Sequence, residues 1–208
     1  MPKQVDHEGR RRQIAEAVCL LADERGLEGV TLRDVAERAQ VSMGAVQRCF
    51  RTKDEMLNFT LGHVGERVTE RVRARLLSSP AQSAGSALGY AATEVALLRA
   101  EHRTEARVWL AFVAQAAVSE TLAATLRANY AALQGLFADL IAEASGRRSV
   151  DGVQPPDAQR AARALLALTD GLTAHVLIGH LTPSEAHGVL HAHLDALWKQ
   201  PGGAEDRA

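Results

Sequence analysis

The sequence predicts an all-α protein of about nine helices. Three observations carry that prediction. Alanine and leucine supply 38 and 26 of the 208 residues, while aromatic residues make up only 4%. Both are strong helix formers, and the residues that favour sheets are scarce. Apolar residues recur at three- and four-residue spacing through long segments, the period of a helix with one buried face. Hydrophobic residues reach 47%, so a chain of this length can bury a sizeable core.

Taken in order, residues 1–9 read as a polar arm. From Arg10 to about Arg25, Ile14, Val18 and Leu21 share one helical face, and Gly26 supplies a stop. Thr31 is placed to cap a short helix whose buried stripe is Leu32, Val35, Ala36 and Ala39, with Asp34 near its positive end. Gln40-Val41 forms a tight turn. Ser42 caps a very short helix from Met43 to about Cys49. Thr52-Lys53-Asp54-Glu55 has the spacing of a capping box and opens a long helix to about Leu77. SSPAQSAG (78–85) has the composition of a linker. Five Ala/Leu-rich segments follow, at about 83–100, 104–117, 119–145, 157–179 and 183–199. Two Gly and two Pro make 146–156 a loop. Pro183 stands at the first position of the last helix behind Thr182. Residues 201–208 read as a frayed tail. The expected division is a head at 1–52 and a larger body at 53–200.

Charge narrows the function. Lys+Arg is 24 and Asp+Glu is 25, a formal net charge of -1. Residues 1–75 hold 14 Lys+Arg against 12 Asp+Glu, and residues 76–208 hold 10 against 13. The near-neutral total thus averages a slightly basic head and an acidic body. A polyanion would be bound by a few placed groups rather than by a broad positive field. Two cysteines, Cys19 and Cys49, make no disulfide framework. No apolar run approaches the ~18 residues of a membrane span, and the polar N-terminus lacks the apolar centre of an export signal. The expected location is the cytoplasm.

Residues 31–50, TLRDVAERAQVSMGAVQRCF, carry the most chemistry. A helix of about eight residues, a turn and a second short helix form a helix-turn-helix. Ala36 and Ala45 allow a close crossing, and Val35, Val41 and Val46 fill the wedge. If the second helix packs through Val46 and Phe50, then Met43, Gly44, Gln47 and Arg48 occupy its other faces. Gln47 suits adenine N6/N7, and Arg48 suits guanine O6/N7 or a phosphate. Gly44 lets backbone approach DNA closely. The competing reading is a helical hairpin in an ordinary bundle, in a small-molecule-binding or assembly protein without DNA binding. Burial of Gln47 and Arg48 would favour it.

Residues 10–57 resemble the DNA-binding domain of TetR-family transcriptional regulators. The resemblance rests on Arg12 to Gly26, Thr31-Leu32-Arg33-Asp34-Val35-Ala36, Val41-Ser42, Gly44-Ala45-Val46, Phe50, and Thr52-Lys53-Asp54-Glu55-Met56-Leu57. It implies a two-domain, all-α homodimer that represses transcription from a palindromic double-stranded DNA operator and is released by a small-molecule effector. By position it implies that Ser42, Met43, Gly44, Ala45, Gln47 and Arg48 lie on the recognition helix. It likewise implies that Thr31, Arg33 and Lys53 contact the DNA backbone. The chain departs from the family pattern at Gln40, where Gly is common, and at Gln47 and Cys49, where aromatic residues or His are common. A left-handed Gln40 would carry roughly 1 kcal/mol of strain.

Few large side chains occur in the Ala-rich body, so Tyr90, Trp109, Phe112, Tyr130 and Phe137 are candidate walls for a small, largely apolar effector. His63, His102, Arg107 and Thr173 are candidate polar anchors. Each has a plainer reading, as core for the aromatics and as solvated surface for Arg107. The last two helices carry a stripe of Leu165, Leu168, Leu172, His175, Val176, Gly179, Leu190, Leu194 and Leu197, which suits a four-helix dimer interface. Gly171 and Gly179 would allow close approach there. His187 and His191 stand at i and i+4, a spacing able to hold a metal, but without the glutamate or thiols of a recognisable site. No nucleophile elbow, phosphate loop or paired carboxylates are evident. The expectation is a non-enzymatic protein with no cofactor and no membrane partner.

Overall fold

The computed structural model describes residues 6–78, 83–146 and 155–199. Within them are nine α-helices, one 3₁₀ turn at Ala100–His102 and no strand. The predicted tail at 201–208 lies outside the described residues, as do 1–5 of the arm, 79–82 of the linker and 147–154 of the loop.

The described chain divides by packing into two compact units. The first takes residues up to Arg71 together with Arg99–Ala131. It holds α1 (His7–Arg25), α2 (Leu32–Arg38), α3 (Met43–Cys49), most of α4 (Lys53–Ser78), α6 (Arg103–Ala116) and the first part of α7 (Glu120–Ala144). The expected head at 1–52 is therefore packed with further helices in one unit. The core of this unit is Ile14, Val18, Val35, Val46, Phe50, Met56, Leu61 and Phe112, all sealed from solvent.

Side-chain caps set most helix starts. Thr31 Oγ1 accepts from Asp34 N at 3.2 Å, Ser42 Oγ from Ala45 N at 3.2 Å, and Thr52 Oγ1 from Glu55 N at 3.0 Å. The box at Thr52 is not closed in the usual way. Glu55 reaches past the cap residue and accepts from Arg51 N at 2.9 Å. Helix α1 begins at His7, three residues before the expected start, because Asp6 Oδ1 accepts from Gly9 N at 2.9 Å. Gly26 stops α1 with φ of 74°. Gln40 has φ of 54°, the strained left-handed conformation expected of a residue in that turn.

The second unit takes Val72–Leu98 and residues from Ala132 onward. It holds the end of α4, α5 (Ala84–Val95), the end of α7, α8 (Pro156–Leu177) and α9 (Pro183–Lys199). Leu88, Leu98, Phe137, Leu165 and Leu190 form its core. The helix expected to reach residue 100 stops at Val95. Leu97 turns left-handed at φ 50°, and Thr173 on α8 donates its hydroxyl to the freed Ala96 carbonyl at 2.7 Å. At Thr182 the capping box does close, with Glu185 N to Thr182 Oγ1 at 3.2 Å and Thr182 N to Glu185 Oε2 at 2.8 Å.

The stripe expected to meet a partner needs correction. Leu165, Leu172, Leu190 and Leu194 are buried within the chain's own second unit, so they are core rather than a free face. Gly179, with φ of 75°, ends α8 instead of admitting a neighbouring helix.

Candidate DNA-binding face and effector-domain residues

Helix α3 has seven residues, too few to persist alone. Its neighbours hold it. Val46 and Cys49 face inward, and Val41 N donates to Ala36 O at 2.9 Å across the turn. Gln13 on α1 fastens the same turn by donating Nε2 to Ala39 O at 2.8 Å. The opposite face of α3 carries Met43, Gln47 and Arg48, all exposed, with Gly44 and Ala45 half-exposed. A Cβ built on Gly44 would meet only the Arg48 guanidinium, at 3.6 Å. Packing within the subunit therefore does not require glycine there, and the bare backbone faces outward.

The cations of this region sort into two groups. Arg25 pairs with Asp34 at 3.1 Å, Arg38 with Glu24 at 2.7 Å, and Arg67 with Glu16 at 3.1 Å. Arg33, Arg48 and Arg51 are exposed and have no ion-pair partner among the described residues. Arg51 was not singled out from the sequence. Its signal was its place two residues before Lys53, at the mouth of α4. Lys53 is half-buried, and its ammonium donates to the Glu28 carbonyl at 3.3 Å. The Thr31 hydroxyl is engaged in its own cap and donates to Asp34 Oδ2 at 2.7 Å. That bond, aided by the charge of Arg25, holds the Asp34 carboxyl below the usual range.

The effector candidates divide between the units. His63, His102, Arg107, Trp109, Phe112 and Tyr130 belong to the first, and Tyr90, Phe137 and Thr173 to the second. Trp109 and Tyr130 meet edge to face, with ring centroids 5.7 Å apart. Phe112 and Phe137 are wholly buried, as is most of His102. The Arg75 guanidinium lies 5.1 Å from the centre of the Tyr90 ring. Three proposed polar anchors have protein partners. His63 Nε2 lies 2.8 Å from Glu16 Oε1, Thr173 bonds the Ala96 and Thr169 carbonyls, and Arg107 is exposed and pairs with Asp23. Sequence reasoning also passed over Glu94, a carboxylate buried on α5. An acid inside an apolar run was its only signal.

Both thiols are buried. Burial, reinforced by Glu16, pushes the Cys19 thiol up to about 12, so it is inert at neutral pH. Among the described residues no three His, Cys, Asp or Glu side chains converge on a point able to hold a metal.

Residues 14–58 match the model of bacterial regulatory proteins of the tetR family. Residues 90–199 match that of the BetI-type transcriptional repressor C-terminal domain. The chain is 34% identical over 181 residues to the HTH-type transcriptional regulator PksA of Bacillus subtilis, an alignment covering 86% of this chain and 83% of PksA. The chain belongs to the TetR family. A BetI regulator of Burkholderia thailandensis is 33% identical over 175 residues, covering 83% of this chain and 84% of that protein. A transcriptional regulator of Rhodococcus sp. RHA1 has the same fold, with a TM-score of 0.78, 29% identity and coverage of 91% and 96% of the two chains. A regulator of Saccharomonospora viridis solved in complex with choline shares the fold at a TM-score of 0.77 and 23% identity, over 90% and 96% of the chains. This TetR-family protein is accordingly a ligand-responsive, DNA-binding transcriptional regulator and not an enzyme. Among the described residues no helix is long and apolar enough to cross a membrane.

An ion-pair circuit ties α1, α4 and α6 of this regulator within the first unit. Glu16 on α1 accepts from Arg67 on α4, and Glu105 on α6 accepts from Arg71 on α4 at 2.7 and 2.8 Å. Asp23 on α1 accepts from Arg107 and, at 3.1 Å, from Thr104, both on α6. The Arg107 guanidinium is the main reason the Asp23 carboxyl lies below its ordinary range. A depressed carboxyl stabilises the fold above its unfolded pKa of about 3.9 and loses that contribution as pH falls through its folded value. Arg107→Met is therefore expected to lower the melting temperature slightly at pH 7, and the difference from wild type should shrink as pH falls below about 4. Thermal unfolding of both proteins across this range checks it. A gap that persists undiminished at pH 2 would assign the effect to lost packing of the arginine stem.

Proposed function

We propose that the protein is a dimeric repressor that binds a palindromic operator through α3, with residues 1–52 as the DNA-binding head and 53–200 as the effector-binding and dimerisation body. The observation that carries this reading is the outer face of α3, where Gln47 and Arg48 are exposed and Arg48 has no ion-pair partner among the described residues. These are side chains that read purine edges in the major groove. Arg33, Lys53 and Arg51, with Thr31, Ser42, Met43, Gly44 and Ala45 around them, complete the proposed contact surface. Release by a small, largely apolar effector is supported by the aromatic pair of Trp109 and Tyr130, the Phe112 beside them in sequence and the nearly buried His102. Tyr90, Phe137 and Thr173 are the corresponding candidates in the second unit. His63 and Arg107 fit the ion-pair circuit better than an effector site. A cation with apolar methyl groups, such as the choline held by the Saccharomonospora viridis protein, would suit the same aromatic walls. The protein would act in the cytoplasm, where the operator is.

Dimerisation is proposed through the outer faces of α8 and α9. Ala164, Ala167 and Gly171 on α8, Ile178 just past its end, and Gly188, Val189, Ala192 and Ala196 on α9 are all exposed in the single chain. Effector binding in the body separates the two heads of the dimer, with a coupling of ~1–3 kcal/mol.

The deciding experiment selects bound duplexes from random DNA with the full-length protein. Enrichment of an inverted repeat with half-site centres about 10 base pairs apart, or a multiple of that, is expected. Enrichment of nothing, or of a single unrepeated site, would overturn the reading. Titrating the selected complex with small apolar compounds and with choline then tests release.

A further inference from the structure

Arg10, Arg11 and Arg12 form the densest basic run in the chain. The structure separates them. Arg10 donates to Gln13 Oε1 at 3.1 Å, and Arg12 is exposed beside Glu8 at 3.7 Å. Arg11 turns inward. Its guanidinium carbon lies 4.7 Å from the centre of the Phe50 ring and 4.4 Å from that of Phe59. The two rings are themselves in tilted contact, 5.4 Å between centroids. Arg11 Nη2 lies 3.8 Å from Glu55 Oε1, while the other oxygen of Glu55 accepts from Arg51 N. Arg11 Nε is sealed from solvent.

We propose that Arg11 is a positioning residue that fixes the recognition helix α3 between α1 and α4, acting through Phe50 and Glu55 and not by touching DNA. Phe50 ends α3, its N–H bonding Val46 O at 2.9 Å. Phe59 and Glu55 lie in the first two turns of α4. One side chain on α1 therefore grips the residue that caps the end of α3 and the start of the next helix. The placement matters because α3 has no stability of its own. Hydrogen bonds to base edges are lost once a donor moves by several tenths of an ångström. A flat, delocalised guanidinium is the cation that stacks on two rings at once, and the compact lysine ammonium replaces it poorly. A side chain held this way is not available to a phosphate.

The inference rests on α3 being the recognition helix, and the test separates the two claims. Full-length wild type, Arg11→Met, Arg11→Lys and Phe59→Leu are titrated onto a duplex carrying the site selected from random DNA, at several salt concentrations. Thermal unfolding is followed in parallel. Arg11→Met keeps the apolar stem and is expected to weaken binding about tenfold. The slope of log affinity against log salt should stay as in wild type, since no phosphate contact is lost. Arg11→Lys should fall between the two. Phe59→Leu combined with Arg11→Met should lose less than the sum of the two single losses, because both remove the Arg11–Phe59 contact. A slope reduced by about one in Arg11→Met would make Arg11 a phosphate contact and overturn the proposal. So would wild-type affinity in that variant, or additive losses in the double variant. If Arg11→Met fails to melt cooperatively, Arg11→Lys decides, and wild-type affinity there overturns the clamp. A wild-type protein that enriches no site overturns the recognition-helix reading itself, and the clamp with it.

Discussion

Arg48→Ala is expected to weaken operator binding by about 1–3 kcal/mol for each half-site, and a dimer loses the contact twice. The expectation follows from what the side chain does not do. Arg48 is exposed on α3 and bridges to no acid among the described residues, so the fold does not depend on it. Exposed substitutions of this kind stay within about 0.5 kcal/mol in stability. Any large loss in binding is then a loss at the interface. The salt dependence separates two modes. If Arg48 reads guanine, the variant should accept other bases at one position of each half-site. If it holds a phosphate, affinity should fall evenly over all sequences and the salt slope should drop by about one per head. Gln47→Ala should relax base choice with no change in slope, because no charge is removed. Fluorescence anisotropy with the selected duplex and single-base variants measures all of this. Unchanged affinity in Arg48→Ala would remove α3 from the interface.

The pairing pattern also gives the near-neutral charge a structural meaning. Arg25, Arg38 and Arg67 are neutralised by acids within the first unit. On the proposed DNA-binding face the positive groups without an acidic partner among the described residues are few and sit near the turns: Arg33, Arg48 and Arg51, with Lys53 bonded only to the Glu28 carbonyl. Affinity for random DNA should therefore be modest, with most of the binding strength reserved for the correct site.

The sequence was most legible where a structure is decided by neighbours along the chain. Thr31, Ser42 and Thr52 cap the helices they were expected to cap, because an N-cap acts within three residues. Gln40 stands out as a candidate left-handed residue because the family pattern puts Gly in that turn, and its φ is 54°. Legibility failed where a distant group decides. The end of α5 depends on Thr173, 77 residues away, which bonds the Ala96 carbonyl; TEVALLRA itself reads as continuing helix. The Asp23–Arg107 pair spans 84 residues, and nothing local marks either partner, so Arg107 looked like a solvated charge with a chance of meeting an effector. Arg11 is the sharpest case, since it stacks on two rings from distant parts of the chain while its chemically identical neighbours Arg10 and Arg12 show no ring contact among the described residues. Leu165, Leu172, Leu190 and Leu194 left the expected dimer stripe for a different reason. Large leucines mark whichever face is buried first, and here that is the inside of the subunit.

Gly171→Arg is expected to convert the protein to a monomer and to reduce operator affinity by a hundredfold or more. Two glycines make the case. Gly171 lies in the middle of α8 and Gly188 in the middle of α9, where each costs about 0.5–1 kcal/mol relative to alanine. Neither is required by its own subunit: a Cβ at either position would have no heavy atom within 4 Å. Both keep to negative φ, so neither serves a turn. On the proposed interface, both would let a second copy approach closely. The residues around them point the same way. Ala164 and Ala167 share the exposed side of α8 with Gly171, Ile178 is exposed just past its end, and Ala192 and Ala196 share the exposed side of α9 with Gly188. Ile178 is 77% exposed, an apolar side chain left to water in the single chain. Small residues on two adjacent helices let a second copy pack backbone to backbone across a two-fold axis, where every contact is made twice. An arginine at Gly171 meets its own image in that arrangement, adding bulk and like charge at the axis. Within the subunit the same substitution is harmless and should raise helix stability. The melting temperature of the monomer should then hold while sedimentation shows half the mass. Operator affinity falls because two heads no longer bind as one unit, and the second half-site must be filled by a separate encounter. A Gly171→Arg protein that remains dimeric with wild-type operator affinity would move the interface off α8.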